Sequence, residues 1–142
     1  METRVTLPFA DGNYDFWLPM SRVVAFEREA ESSIFALFYA IGDSLGQAVD
    51  GAKVLIGASD ARLKQCHSLI RNGLIGGGAS EQQARELVEV YCYPARPAMH
   101  DMALAWEVLS AAIYGVKVDG SKKKRKPTAK PVREGRGAGE LR

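Results

Sequence analysis

The stretch Arg71-Asn72-Gly73-Leu74-Ile75-Gly76-Gly77-Gly78-Ala79-Ser80-Glu81-Gln82-Gln83-Ala84 decides how the chain is assembled. It reads as the end of one helix, a glycine-lined corner and the capped start of another. Asn72 and Gly73 accept the left-handed conformation that closes a helix, so the first helix is predicted to stop there. Ser80 with Gln83 matches a capping box, in which each side chain satisfies a free amide of the first turn. Gly76, Gly77 and Gly78 let two backbones approach closely, and the expected approach is between the flanking helices. A phosphate cradle is the competing reading. A nucleotide-binding loop carries Lys-Ser/Thr after its last glycine, whereas Ala79-Ser80 follows Gly78. A dinucleotide loop sits between strands, and both flanks here have helical spacing.

Outward from this corner the helical pattern continues. Ser59 is a candidate cap for a helix over about 60–72, with Leu63, Cys66, Leu69 and Ile70 on one face. Ala84, Leu87, Val88 and Tyr91 recur at helical spacing over about 81–92, until Pro94 and Pro97 interrupt. A last helix is predicted over about 98–114, with Met102, Ala105, Trp106, Leu109 and Ile113 apolar and Gly115 as its stop. Upstream, Ser21 opens a helix over about 21–30 carrying Val23, Val24, Phe26 and Ala30. Ser32 or Ser33 opens one over about 33–41 carrying Ile34, Leu37, Phe38 and Ile41. Residues 42–58, punctuated by Gly42, Gly46, Gly51 and Gly57, read as a loop, with Val54-Leu55-Ile56 as a short extended segment.

The first residues alternate instead. Val5, Leu7 and Phe9 precede Asp11-Gly12, and Tyr14, Phe16 and Leu18 follow it, which predicts a hairpin over 3–19. A two-residue turn at Asp11-Gly12 would pair Phe9 with Tyr14, Leu7 with Phe16 and Val5 with Leu18, all on one face. Pro8 cannot donate to a ladder, which makes its strand an edge. The predicted fold class is α+β, mainly α: a hairpin packed with a bundle of about five helices, as one folded domain over 1–116.

Beyond that point the composition changes. From Lys117 onward there are ten Lys or Arg and three Asp or Glu, whereas the whole 142-residue chain has a net charge of only +2. An acidic body therefore precedes a basic tail. The tail has almost no large apolar side chains, so burial cannot offset the entropy of ordering it, and residues 117–142 are predicted to be disordered. No apolar run approaches the roughly 18 residues that span a bilayer, and no apolar leader marks the chain for secretion. Cys66 and Cys92 both fall at apolar or boundary positions, which favours two buried thiols over a disulfide.

Little in the sequence suggests catalysis. Cys66 and His67 are adjacent on a helix and point about 100° apart, as do His100 and Asp101, so neither makes a nucleophile–base pair. Metal-ligand spacings are missing, and both histidines are expected to be ordinary surface or boundary residues. Glu27, Glu29 and Glu31 beside Arg22 and Arg28 read as a solvated charged face. Lys122, Lys123, Lys124, Arg125 and Lys126 are suited to phosphates but lack aromatic neighbours for base stacking, and a solubilising or partner-recruiting tail is the competing reading.

The order of elements, with Arg4-Val5-Thr6-Leu7 and Asp11-Gly12, the segment from Ile70 to Gly78, and Arg96-Pro97 before Ala103–Gly115, resembles the gene transfer agent family of phage tail proteins. That family is similar to the tail assembly chaperones of long-tailed phages. The resemblance spans about residues 3–116 and implies a non-enzymatic protein without cofactors, acting in the cytoplasm of a bacterial host. It implies binding to the tape measure protein and recruitment of tail tube subunits, with a homo-oligomer as a further form. Neither a membrane nor nucleic acid is expected as a partner. Tyr91, Tyr93, Trp106 and Tyr114 are the candidate partner anchors, because aromatic residues often dominate interfaces. The Lys122–Lys124 run also raises a programmed frameshift near the end of the gene. Two alternatives stand beside the chaperone: a structural tail component such as a tube or connector subunit, and a small nucleic-acid-binding protein acting through its basic tail.

Overall fold

A computed structural model describes residues 1–117. Residues 118–142 of the predicted tail, including Lys122–Lys126 and their expected disorder, lie outside the described residues. The elements run β1 (Val5–Phe9), β2 (Gly12–Phe16), α1 (Met20–Ala30), α2 (Ile34–Ser44), β3 (Leu45–Gln47), β4 (Lys53–Leu55), α3 (Leu63–Gly76), α4 (Glu81–Tyr91) and α5 (Ala98–Tyr114). The architecture is α+β and mainly helical, as the hydrophobic periodicity implies. The two sheets of the described residues are separate antiparallel pairs, β1–β2 and β3–β4.

Helix α3 is the central element, packed by α1, α4, α5 and β2. Cys66, Leu69, Ile70, Gly73 and Leu74 are buried along it, one stripe of a helical repeat. Facing them are Phe26 of α1, Ala84 and Leu87 of α4, and Leu104, Ala105, Val108 and Leu109 of α5. Phe9, Phe16 and Leu18 bring the hairpin into the same core. Burying each large apolar side chain contributes roughly 1.5–3 kcal/mol before entropy is counted.

The hairpin register differs from the expected one. Val5 pairs with Phe16, Leu7 with Tyr14 and Phe9 with Gly12, so the two-residue turn is Ala10-Asp11, with Ala10 at φ 56°. The shift is two residues, which preserves the face of every side chain. Phe9 and Tyr14 become diagonal neighbours and meet edge-on with centroids 6.0 Å apart. Gly12 opposite Phe9 offers no side chain, which leaves that diagonal open to the Tyr14 ring.

The helix ends also move. Pro19, not Ser21, is the residue before α1. Ser33 is confirmed as the cap of α2, accepting from the Ala36 amide at 2.9 Å. Helix α2 continues past Ile41 to Ser44, and the expected loop over 42–58 contains the β3–β4 hairpin, with Leu45 opposite Leu55. Gly46 makes that strand fit, because a Cβ there would collide with the Ile56 side chain. Ser59 does not cap α3. It bonds the Ala61 amide and the Ala40 carbonyl instead, while Gln65 accepts from the Arg62 amide at the true helix start. At α4 the Ser80 hydroxyl accepts from the Gln83 amide at 3.0 Å. That is one half of the expected capping box; the Gln83 side chain returns no bond to it.

Candidate functional site

The glycine corner is a dock for the hairpin. Helix α3 runs straight through Asn72-Gly73 and ends at Gly76. Its last turn closes as a Schellman motif: Gly78 has φ 124°, its amide donates to the Ile75 carbonyl, and the Ala79 amide donates to Leu74. The backbone that comes close to these glycines belongs to β2 and the residues after it, not to α4. A Cβ on Gly76 would overlap the Trp17 carbonyl oxygen and lie 2.7 Å from Pro19 Cδ. One on Gly77 would overlap the Asp15 carbonyl, 2.5 Å from its carbon. The Trp17 amide donates to the Gly73 carbonyl at 3.0 Å and fixes the strand along the helix end. Gly73 lies under Phe16 and Val108, where a Cβ would sit 3.3 Å from each. Tertiary contact with the hairpin therefore overrides the local tendency of Asn-Gly to stop a helix.

Asn72 has a different role from the one its sequence neighbours suggest. It is fully buried. Its amide nitrogen donates to the Ser68 carbonyl at 2.9 Å and to Glu29 at 3.3 Å, and its oxygen accepts from Arg22 at 3.3 Å. Glu29 also accepts from Ser68 and Arg71. Glu27 accepts from the Ile34 amide at 3.1 Å, adding a bond at the start of α2. Two glutamates of the expected solvated face thus tie α1 to α2 and α3.

His67 is a boundary residue, as expected, but it is engaged in a buried contact that the sequence did not suggest. Its Nε2 lies 2.7 Å from Asp101 Oδ2, and Asp101 is completely buried at the first turn of α5. The Tyr93 amide donates to the same oxygen at 2.8 Å, and Arg96 Nε donates to the other at 2.7 Å. Arg96 also lies over the Phe9 ring, 5.2 Å from its centroid. One carboxylate therefore joins α3, the segment between α4 and α5, and the hairpin. His67, Cys92 and Asp101 place ligand-type atoms within 4.8 Å of one another. Arg96 already supplies the positive charge that Asp101 needs, and the Asp101 oxygens are occupied by donors, so this trio is a structural latch. His100 is exposed.

Both cysteines are free and buried. Burial pushes the Cys66 and Cys92 thiols up to about 12, and the Asp101 charge acts in the same direction. Neither is a nucleophile at neutral pH.

The four candidate aromatic anchors separate into two groups. Tyr91 is half-buried against Phe9, and Trp106 stacks on Phe38 at 4.3 Å with planes 5° apart. Gly42 admits that stack, because a Cβ there would lie 2.9 Å from the indole. Tyr93 and Tyr114 are exposed. The Tyr114 ring meets the edge of Phe38 at 5.7 Å, and Phe38 touches Tyr39 at 6.1 Å. Tyr39 and Phe35 of α2 are 66% and 57% exposed, and Leu55 and Ile56 of the second hairpin also face solvent. Sequence reasoning missed Phe35 and Tyr39. Their signal was available: Ile34-Phe35-Ala36-Leu37-Phe38-Tyr39-Ala40-Ile41 is apolar around the whole helix, while a helix covered on one side needs only one apolar stripe.

An open cleft of about 550 Å³ lies beside α3 and α4, where Lys64, Arg71 and Arg85 alternate with Glu29 and Glu89. Its charges are mixed and select no ligand class. Among the described residues, no helix is long and apolar enough to cross a membrane.

The glycine-rich segment and the order of elements that carry the resemblance lie within this hairpin-docked helical body. The chain belongs to the family described as phage tail tube protein, GTA-gp10, which matches residues 2–115. No curated protein and no solved structure matches the chain.

Proposed function

We propose that this chain is a structural component of a phage-like tail, a tube or connector subunit that works through contacts with other tail proteins. The family match carries this reading: it covers residues 2–115, essentially all of the described body. The open face formed by Phe35, Tyr39 and Tyr114 supplies the kind of aromatic surface that dominates protein interfaces. We assign the chain no catalytic role and no cofactor, in keeping with its neutral buried thiols and the Arg96-neutralised Asp101. Quantitative mass spectrometry of purified tailed particles tests the proposal. A ring-like copy number supports it, and absence from the particles refutes it.

One observation favours a second reading. The sheets of the described residues are two-stranded, with strands of three to five residues. A tube wall closed by strand pairing between copies calls for longer edges, whereas an assembly chaperone for the tape measure protein needs only an apolar docking face. Absence from particles, together with increased solubility of the co-expressed tape measure protein, would select the chaperone.

A further inference from the structure

We propose that the aromatic face of α2, the β3–β4 hairpin and the end of α5 is the docking surface for the chain's own residues 118–142. Phe35, Tyr39, Leu55, Ile56 and Tyr114 are each more than half exposed, Tyr39 and Tyr114 both meet Phe38, and α2 and β4 both pack against α5. The segment that carries most of them is acidic. Glu31, Asp43, Asp50 and Asp60 are all exposed, and Lys53 is the one basic residue between positions 31 and 60.

Residues 118–142 have the complementary composition. They hold nine Lys or Arg against three Asp or Glu, while residues 1–117 hold ten against fourteen. Val118, Val132 and Leu141 are their only large apolar side chains, too few for a core of their own. Guanidinium and ammonium groups bind both elements of the face: they lie over aromatic rings within about 6 Å and pair with carboxylates. The Arg4 guanidinium, 5.0 Å from the Trp17 centroid and paired with Asp15, already makes this combination elsewhere in the molecule.

The point of departure selects the source. Tyr114, whose ring touches Phe38, is three residues before Lys117, where the described chain ends. The 25 residues from 118 to 142 are long enough to reach across a face that begins at Tyr114, since a chain of that length has a root-mean-square span of about 27 Å by general chain statistics. Tethering sets an effective concentration on the order of millimolar, which favours the same molecule over a second copy. In this arrangement the basic tail covers the apolar face, and a tail partner that docks there displaces it.

Paramagnetic broadening in the full-length protein tests the proposal. Thr128→Cys provides a nitroxide site, since Cys66 and Cys92 are buried and protonated at labelling pH. At low salt, amide signals of residues 35–40 and 53–56 are expected to broaden at least threefold more than in a control with Lys122–Lys126 changed to Gln. About 0.5 M salt, or the exposed double change Asp43→Lys and Asp50→Lys, is expected to abolish the difference. A mixture of isotope-labelled protein without nitroxide and unlabelled protein with it should show no broadening. Broadening equal to the Gln control, or unchanged in the double variant, would overturn the proposal. Broadening in the mixture would overturn it in favour of a second copy as the occupant.

Discussion

Replacing Gly76 by alanine separates two physical accounts of the glycine corner by the sign of the effect. Gly76 is the last residue of α3. If the glycine serves only local conformation, alanine is the better helix former and stabilises by up to about 1 kcal/mol. The structure places β2 in the way. The new methyl would overlap the Trp17 carbonyl oxygen, lie 2.9 Å from its carbon and 2.7 Å from Pro19 Cδ. Carbon atoms pack best at roughly 3.5–4.0 Å, so the Trp17–Pro19 backbone must retreat by about 1 Å. That movement strains the 3.0 Å bond from the Trp17 amide to Gly73, a net loss of about 1 kcal/mol. It also disturbs Phe16 and Leu18 in the core, and overpacking of this kind costs about 1–3 kcal/mol. The expected total is about 1–3 kcal/mol of destabilisation after the helical gain is subtracted. Urea unfolding followed by far-ultraviolet circular dichroism and tryptophan fluorescence measures it. Gly12→Ala is the control, because a Cβ there meets nothing within 4 Å, and its expected change is below about 0.5 kcal/mol. A Gly76→Ala protein as stable as the parent would show that the hairpin is not seated against this helix end.

Other parts of the structure lead to further measurements. Asp101→Ala leaves Arg96 partly buried without its carboxylate and frees the Tyr93 amide and His67, so urea unfolding should register a loss of about 3–5 kcal/mol. A loss under 1 kcal/mol would remove Asp101 from its place as the latch. Ser80→Ala should cost about 1 kcal/mol in the same assay, the usual value of a helix cap. Because the folded Cys66 and Cys92 thiols titrate at about 12, above their ordinary range, the unfolded chain releases these protons first as pH rises. Their stabilisation is complete below about pH 8.5 and is lost as the pH climbs toward 12, so the urea midpoint should fall over that window. Cys66→Ala and Cys92→Ala together should flatten this part of the profile; an unchanged slope would assign it to other groups.

Much of the helical framework was legible because it is encoded locally. Leu63, Cys66 and Ile70, or Ala84, Leu87 and Val88, declare a buried stripe by spacing alone. Ser33 and Ser80 mark helix starts through bonds that reach only three residues. The hairpin face was legible for the same reason, since alternation survives a register shift of two. Its turn was not, because Asp11-Gly12 and Ala10-Asp11 present the same face, and only packing chose between them. The helix end at Gly76 instead of Asn72-Gly73 was also hidden, because the Trp17 amide that binds the Gly73 carbonyl is distant in sequence. The same holds for the latch: His67 comes from α3, Cys92 and Arg96 from the connection between α4 and α5, and Asp101 from α5, and pairwise spacing along one helix could not bring them together.

The sequence by itself determined the mainly helical class, the order of the elements and the charge contrast between body and tail, and its residues 2–115 place the chain in its family. These properties depend on neighbours within a few residues or on composition. Only the tertiary structure decided what the glycines accommodate, which carboxylate holds the helices together, and which aromatic rings remain in solvent. Each of those depends on the backbone of one element coming within contact distance of another. A periodic pattern shows which side of a helix is apolar; it does not contain the neighbour that covers that side or leaves it open.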